Sequence, residues 1–278
     1  MKTLSIGHSP DADDAFMFYG LASGRVTVAG YRVDHVLDDI ETLNRRARAA
    51  ELDVTAISAA AYPQVQHLYR IMSCGASVGR RYGPVVLARE PWTIRDLAGR
   101  RIAVPGPNTT AYLLFRLYVA DEITPVMMDF DRIMGAVENG EVDAGIVIHE
   151  GQLTWPSTGL HLVVDLGERW MEDTALPIPL GLDVVRRGLG SDTMGAVARA
   201  LKESILLAHR EEDDAVDYAM KFGRGVDRET CRRFVRMYVN DDTVDLGKEG
   251  REALETLYQM AVRRGLLETV PTLDILSV

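Results

Sequence analysis

Glu141-Val-Asp-Ala-Gly-Ile-Val-Ile-His149-Glu150 is the stretch that indicates most about the fold of this chain. A helix-like segment ends at Asn139-Gly140 before it, and the wholly apolar run from Ala144 to Ile148 predicts a short strand. His149 follows at the carboxyl end of that strand, which is where ligands bind in open α/β sheets. Because the ordinary pKa of histidine lies near neutral pH, we expect His149 to take up or release a proton there.

A second strand and turn, upstream of the first, predict an anion site. Arg101-Ile-Ala-Val-Pro105 is typical of a strand, and Gly106-Pro-Asn-Thr-Thr-Ala111 is typical of a turn that leads into a helix from Thr110 to Ala120. The free N–H groups at the start of such a helix attract an anion. Together with the histidine, this pattern favours a small acidic ligand in a cleft.

The order of the predicted elements indicates an α/β protein with two lobes. Residues 91–180 alternate between strands and helices, whereas helices dominate after residue 181. We expect residues 1–90 and 182–278 to form a larger lobe, with the C-terminal helices packed onto its strands. Residues 91–181 would form an inserted smaller lobe. Two crossings then join the lobes, and a central cleft lies between them.

Amino-acid composition and net charge exclude several classes of function and partner. The 278 residues are 47% hydrophobic and carry a formal net charge of −10, so we expect neither nucleic acid nor an anionic membrane surface as a partner. Cys74 and Cys231 stand far apart, with no disulfide framework and no metal-ligand spacing. No signal peptide or membrane span is predicted, and the expected location is the cytoplasm. The oligomeric state is left open.

Motifs along nearly the whole chain resemble those of the 1,4-dihydroxy-6-naphthoate synthase family, which acts in the futalosine route to menaquinone. The matching motifs are Ser9-Pro10 with Asp14 and Phe16-Met-Phe-Tyr19, Asp39-Ile-Glu-Thr-Leu-Asn44, Ser58 with Ala60-Ala-Tyr62, Gly83-Pro84, Ala103-Val-Pro-Gly106 with Thr109-Thr-Ala-Tyr112, Ile148-His-Glu150, Leu176-Pro-Ile-Pro-Leu-Gly181 and Tyr238-Val-Asn240. They occur in order, so the resemblance rests on more than one shared motif.

The resemblance implies a type II periplasmic-binding-protein fold used as an enzyme. The implied reaction is that of a lyase without a cofactor or a metal, which converts cyclic dehypoxanthine futalosine to 1,4-dihydroxy-6-naphthoate. His149 matches the family's catalytic histidine and would act as general base. The residues expected to bind the anionic substrate are Ser9, Ala56, Ile57, Ser58, Thr109, Thr110 and Ala111.

The chain departs from the family pattern in two places, the first loop and position 56, and these departures leave the exact substrate open. The first loop reads Ser9-Pro-Asp-Ala-Asp-Asp14, where Ser-Pro-Cys-Pro-Asn-Asp is usual, so Asp11, Ala12 and Asp13 differ. A lysine can stand where this chain has Ala56. An added carboxylate would repel an anionic ligand if it faced the cleft.

Plainer interpretations compete with each of these signals. His149 could be a core histidine, Glu150 is expected to be solvated, and Thr109 and Thr110 could be ordinary helix caps. Asp13 and Asp14 are better explained as acids in the first turn of a helix than as metal ligands. Two other functions also stay open, namely a chorismate dehydratase-like enzyme and a non-catalytic binding protein for a small anion.

Overall fold

The computed structural model describes residues 1–119 and 122–278. The predicted helix end at Ala120 lies outside these described residues. The strands of the described chain form two separate sheets. They are β1 (Lys2–His8), β2 (Tyr31–Leu37), β3 (Val54–Ser58), β4 (Tyr69–Met72), β5 (Ser77–Gly79), β6 (Val85–Ala88), β7 (Arg101–Val104), β8 (Thr124–Met127), β9 (Ala144–Val147), β10 (His161–Asp165), β11 (Ile178–Arg186) and β12 (Ile275–Leu276).

Helices flank both sheets and fill most of the C-terminal third. They are α1 (Ala12–Met17), α2 (Tyr19–Ala22), α3 (Ile40–Arg48), α4 (Tyr62–Val65), α5 (Thr110–Tyr118), α6 (Ile133–Glu138), α7 (Gly151–Thr154), α8 (Leu166–Thr174), α9 (Ser191–Arg210), α10 (Glu212–Ala219), α11 (Arg228–Tyr238), α12 (Asp241–Val244) and α13 (Gly247–Arg263). Among the described residues, no helix combines the length and the apolar character that crossing a bilayer requires.

Each sheet mixes parallel and antiparallel pairs. The first has the strand order β12-β4-β11-β3-β1-β2, with β5 paired to β11, and the second has the order β10-β6-β9-β7-β8. In the first, β1 runs parallel to β2 and β3, while β11 runs antiparallel to β3. In the second, β7 runs parallel to β8 and β9. The parallel strands of both sheets are the ones whose carboxyl ends carry the predicted site residues.

The chain crosses between the sheets twice. Strand β6 lies before the predicted boundary at residue 90, yet it pairs with β9 and β10 in the second sheet. Strand β11 begins at Ile178 and pairs with strands of the first sheet. We therefore propose that the smaller lobe extends from Pro84 to Pro177, which leaves both sheets complete.

The C-terminal helices cover the first sheet, as the sequence predicts. In α9, apolar residues recur every three or four positions and are buried at Met194, Val197, Leu201 and Ile205. They share an apolar cluster with residues of β1 and of α11. A second cluster contains residues from both sheets, for example Ile57 with Ile102, so the lobes share a continuous core.

Close backbone contact fixes the first crossing. Gly167, in the first turn of α8, packs so tightly that a Cβ atom added to it would lie 2.1 Å from the carbonyl oxygen of Tyr82. The carboxylate of Asp165 holds this turn in place by accepting hydrogen bonds from the N–H groups of Gly167 (2.8 Å) and Glu168 (3.1 Å). Only a residue without a side chain allows the helix to approach the crossing this closely.

We expect Gly167→Ala to lower the free energy of unfolding by about 1–3 kcal/mol, because the added methyl group has no space against Tyr82. Gly135 is the matched control, since it also lies in a helix but has open space around it. Gly135→Ala should stabilise the protein by about 0.5–1 kcal/mol. Denaturant titration measures both changes, and equal effects would show that the contact at Gly167 does not matter.

Candidate active-site cavity at the strand ends

A cavity of about 720 Å³, open to solvent, lies where strand ends of the two sheets meet. All seven of the predicted binding residues line it: Ser9 after β1, Ala56, Ile57 and Ser58 at the end of β3, and Thr109, Thr110 and Ala111 at the start of α5. The strand-end argument therefore brings these residues to one place, while their contact with a ligand stays a prediction.

Ser58 is held by a buried amide that the sequence analysis did not single out as a site residue. Asn44, on α3, accepts a hydrogen bond from the N–H of Ser58 (2.8 Å) and donates one to its hydroxyl oxygen (3.1 Å). With its oxygen accepting from Asn44, the hydroxyl of Ser58 can donate its own proton to a ligand. Asn44 thus orients Ser58 toward the cavity.

The two threonines at the start of α5 have different partners. Thr109 is the helix cap, because its hydroxyl oxygen accepts from the N–H of Tyr112 (3.3 Å). The hydroxyl of Thr110 donates to the carbonyl of Leu180 (2.6 Å) and accepts from the N–H of Ala60 (3.1 Å). That hydroxyl joins the two lobes, so the cap interpretation holds for Thr109 and not for Thr110. The groups left to meet an anion are the first-turn amides of Thr110 and Ala111.

Three acids of the first loop and helix face the same cavity. Asp11, Asp13 and Asp14 line it, and their carboxylate oxygens lie within 4.8 Å of one another. Asp14 also accepts a hydrogen bond from the N–H of Ser9 (2.6 Å). Burial, reinforced by the charge of Asp11, raises the pKa of Asp13 and of Asp14 well above the usual range. A protonated carboxyl adds no charge, so the repulsion expected from the added acid at position 13 is reduced.

A fourth acid, Asp183, lies buried behind the cavity wall. It stands opposite Ala56 in the pairing of β11 with β3, and its Oδ2 atom packs against Gly75, whose φ is +88°. Within the described residues neither of its carboxylate oxygens has a hydrogen-bond partner. Burial raises the pKa of Asp183 to about 8. The side chain is therefore mostly neutral at pH 7.

His149 lies beside the cavity but is not among the residues that line it, although Ile148 and Gln152 are. Its Nδ1 atom accepts a hydrogen bond from the N–H of Gly151 (2.9 Å), which places the proton of the neutral ring on Nε2. The Nε2 atom is buried and makes no hydrogen bond of good geometry with the described residues, although a backbone hydrogen bond with Phe130 helps to raise the pKa of the ring. The ring of Phe130 covers one side, with the centroids 5.8 Å apart.

The electrostatic surroundings keep this imidazole unprotonated. Burial is the main cause that lowers the pKa of His149 to about 4, and the cation of Arg224 lowers it further. The carboxylates of Asp131 and Asp11 act in the opposite direction. A neutral ring is free to accept a proton, although a lower pKa also makes it a weaker base.

The expectation that Glu150 is solvated is wrong. Only 2% of the residue is exposed, and its Oε2 atom accepts a hydrogen bond from Nη1 of Arg224 at 3.2 Å. The same oxygen lies 3.9 Å from Nδ1 of His149. Arg224 supplies the cation that a buried carboxylate requires.

Comparison with known proteins identifies the family of this chain. The family model described as menaquinone biosynthesis matches residues 4–263. The chain belongs to this family. It is 42% identical over 271 residues to 1,4-dihydroxy-6-naphthoate synthase of Thermus thermophilus, covering 98% of both chains. It is 40% identical to the enzyme of that name from Streptomyces coelicolor, covering 95% of both chains. The predicted resemblance is confirmed, and the chain is an enzyme of menaquinone biosynthesis.

Solved structures confirm the predicted fold class. A crystal structure of a protein from Archaeoglobus fulgidus superposes with a TM-score of 0.91 at 50% identity, covering 95% of this chain and 98% of that one. The alkanesulfonate-binding protein SsuA from Xanthomonas axonopodis pv. citri has a TM-score of 0.73 at 13% identity, covering 100% of this chain and 99% of that one. The bilobal periplasmic-binding-protein-like fold is therefore established.

Replacement of Thr110 should test the contact between the lobes. Thr110→Val leaves the partly buried N–H of Ala60 without the Thr110 hydroxyl as acceptor, so we expect the free energy of unfolding to fall by about 1–3 kcal/mol. Thr110→Ser keeps the hydroxyl, so its free energy of unfolding should fall by clearly less than that of Thr110→Val. Thermal melts of the two variants decide the matter, and equal melting temperatures would contradict the bridging role.

Asp183 should make stability depend on pH. The pKa of Asp183 is about 8 in the folded protein and about 4 in the unfolded chain. The contribution of this carboxyl to the free energy of unfolding is therefore fully present below about pH 4. It is lost by about 1.4 kcal/mol per pH unit as the pH rises toward 8. Asp183→Asn has no proton to lose, so its stability relative to the original protein should increase between about pH 5 and about pH 8.

Urea titrations at several pH values measure this difference. Asp34→Asn is the matched control, because Asp34 is an exposed carboxylate on β2 of the same sheet. It measures what the same substitution does at an exposed position of the sheet. A difference for Asp183→Asn that varies with pH no more than that of Asp34→Asn would mean that burial does not raise the pKa of Asp183.

Proposed function

We propose that this chain converts cyclic dehypoxanthine futalosine to 1,4-dihydroxy-6-naphthoate, as a lyase that needs no cofactor. The observation that carries the proposal is that seven residues chosen by family resemblance line one cavity in a chain with full-length relatives of that name. Relatives that are enzymes also favour catalysis over a transport-coupled binding protein. The cytoplasm is the proposed location, and both cysteines are buried and unpaired.

The acidic end of the substrate would bind at the start of α5. The amides of Thr110 and Ala111 lie in the first turn of that helix, where N–H groups and the helix dipole favour an anion. The hydroxyl of Ser58 lines the same wall and can donate a third hydrogen bond. Burial raises the pKa of Asp13 and of Asp14, which line the same cavity, so their repulsion of the anion would be reduced, and in protonated form they could donate hydrogen bonds to hydroxyls of the sugar-derived part.

His149 is the proposed general base. It would take a proton from the sugar-derived part and so start ring opening and carbon–carbon cleavage, while aromatisation supplies the driving force. In the present arrangement Nδ1 is occupied by the N–H of Gly151. The base role therefore requires the ring to leave Gly151 and turn toward the cavity when the lobes close on substrate. The low pKa ensures that the ring reaches that step unprotonated.

One observation favours a second role for the same residue. Because Gly151 donates to Nδ1, the ring carries its proton on the buried Nε2 atom. In that tautomer His149 would donate a hydrogen bond to a substrate oxygen that gains negative charge in the transition state. The two roles differ in whether the side chain must accept a proton.

His149→Gln should separate the two roles. Glutamine offers an N–H donor but cannot take up a proton, so the base role predicts a loss of kcat of about 10²–10⁴-fold. The affinity for the product, measured by titration calorimetry, should change little. Turnover within about tenfold of the original rate would instead indicate the donor role, provided that His149→Ala is far slower.

His161→Gln is the matched control, since His161 is an exposed histidine of the same lobe. It should keep the original kcat. If His149→Gln and His149→Ala both turn over normally, His149 has no part in the reaction.

A further inference from the structure

Arg224 connects three parts of the molecule next to His149. It lies between α10 and α11, and its guanidinium donates to the carbonyl of Pro10 through Nη2 (2.9 Å) and to Oε2 of Glu150 through Nη1 (3.2 Å). The guanidinium carbon also lies 4.7 Å from the centre of the Phe130 ring. One side chain thus joins the first loop, the C-terminal helices and the smaller lobe.

The partners of Arg224 in the smaller lobe are the neighbours of His149. Oε2 of Glu150 lies 3.9 Å from Nδ1 of the imidazole, and the Phe130 ring lies 5.8 Å from it, centroid to centroid. Arg224 therefore holds two residues that contact the histidine. A planar guanidinium suits this task, because its edge binds a carboxylate while its face packs on an aromatic ring.

The backbone at this position is strained in a way that favours a specific role. Arg224 has φ of +49°, in the left-handed region that residues with a Cβ atom rarely adopt, and Gly225 follows with φ of +82°. Such a conformation persists where the surrounding contacts hold it. Here those contacts are the ones to Pro10, Glu150 and Phe130.

We infer that Arg224 is a positioning residue for His149, acting by fixing Glu150 and Phe130 around the imidazole. This inference rests on the proposed role of His149 in turnover. Glu150 depends on Arg224 in turn, because Arg224 is the cation that pairs with its buried carboxylate among the described residues.

The charges that face His149 give the inference a measurable consequence. Arg224 is the cation, whereas Asp131 before α6, Asp11 before α1 and Glu150 are the acids near the ring. Arg224 lowers the pKa of His149, and the two aspartates raise it. Among the charged groups of the described residues that act on the imidazole, removal of the guanidinium leaves the acids, so the pKa of His149 should rise from about 4 toward the usual value.

The experiment titrates His149 directly by NMR, with labelled imidazoles assigned through the spectrum of the His149→Gln variant. Arg224→Gln should raise the pKa of His149 by about one unit or more. The control, Arg228→Gln, removes an arginine that pairs with Asp213 and Asp217 at the surface, and it should leave the titration unchanged. No shift in Arg224→Gln, or an equal shift in both variants, would overturn the inference.

Kinetics supply a second readout. Arg224→Gln should lower kcat by about 10- to 100-fold with little change in KM, because a mispositioned group loses transition-state contacts. The acid limb of the pH profile should move upward with the NMR pKa. Arg224→Lys keeps the charge without the planar fork and should recover part of the rate. If Arg224→Gln does not fold, the test rests on Arg224→Lys. A kcat of Arg224→Lys equal to that of the original protein would then overturn the inference.

The NMR titration keeps this inference separate from the proposed function. It reports on the imidazole whether or not that group takes part in turnover. A normal rate in both His149→Gln and His149→Ala would contradict the proposed role of His149 in turnover. An unchanged pKa of His149 in Arg224→Gln would contradict the role of Arg224.

Discussion

Burial of ionisable groups is the constraint on which the cavity depends. An isolated charge inside a protein is so costly that a group either becomes neutral or acquires a partner. Asp183, which has no partner among the described residues, takes the first course, and burial likewise lowers the pKa of His149. Glu150 takes the second, with Arg224 beside it. The ionisable groups around the cavity are therefore either partnered or shifted toward their neutral forms, as burial also does for Asp13 and Asp14 in its lining.

The lobes are held together at the cavity by side chains that bind backbone. Thr110 binds the carbonyl of Leu180 and the N–H of Ala60. Glu41 accepts from the N–H of Asn108 (3.0 Å) at the turn before α5. Because main-chain groups of both lobes depend on these contacts, a wider cleft would have to supply water in their place.

The local pattern alone predicted part of this site, namely the strand that ends at His149 and the strand and turn that lead into α5. The other site residues, such as Ser9 and Ser58, were expected from the family resemblance, and the fold brings them to one cavity. Asp183 was missed because one acid in an apolar strand shows its isolation only when β3, β4 and β11 are assembled. Arg224 was missed because its partner Glu150 is 74 residues away in the chain.

Elements with weak local signals were also missed. The strand β10 and helix α8 follow each other directly, with Asp165 ending one and capping the other, and no glycine or proline separates them. The sequence therefore shows no break where the direction of the chain changes. The tautomer of His149 could not be predicted either, since it depends on where the N–H of Gly151 points.

The pairing of Ala56 with Asp183 has a consequence for how this site can diversify. The two residues stand opposite each other on β3 and β11, so a lysine at position 56 would reach the carboxylate of Asp183. That lysine would convert a neutral acid into half of an ion pair. The residue at position 56 on β3 would therefore set whether the acid at position 183 on β11 carries a proton.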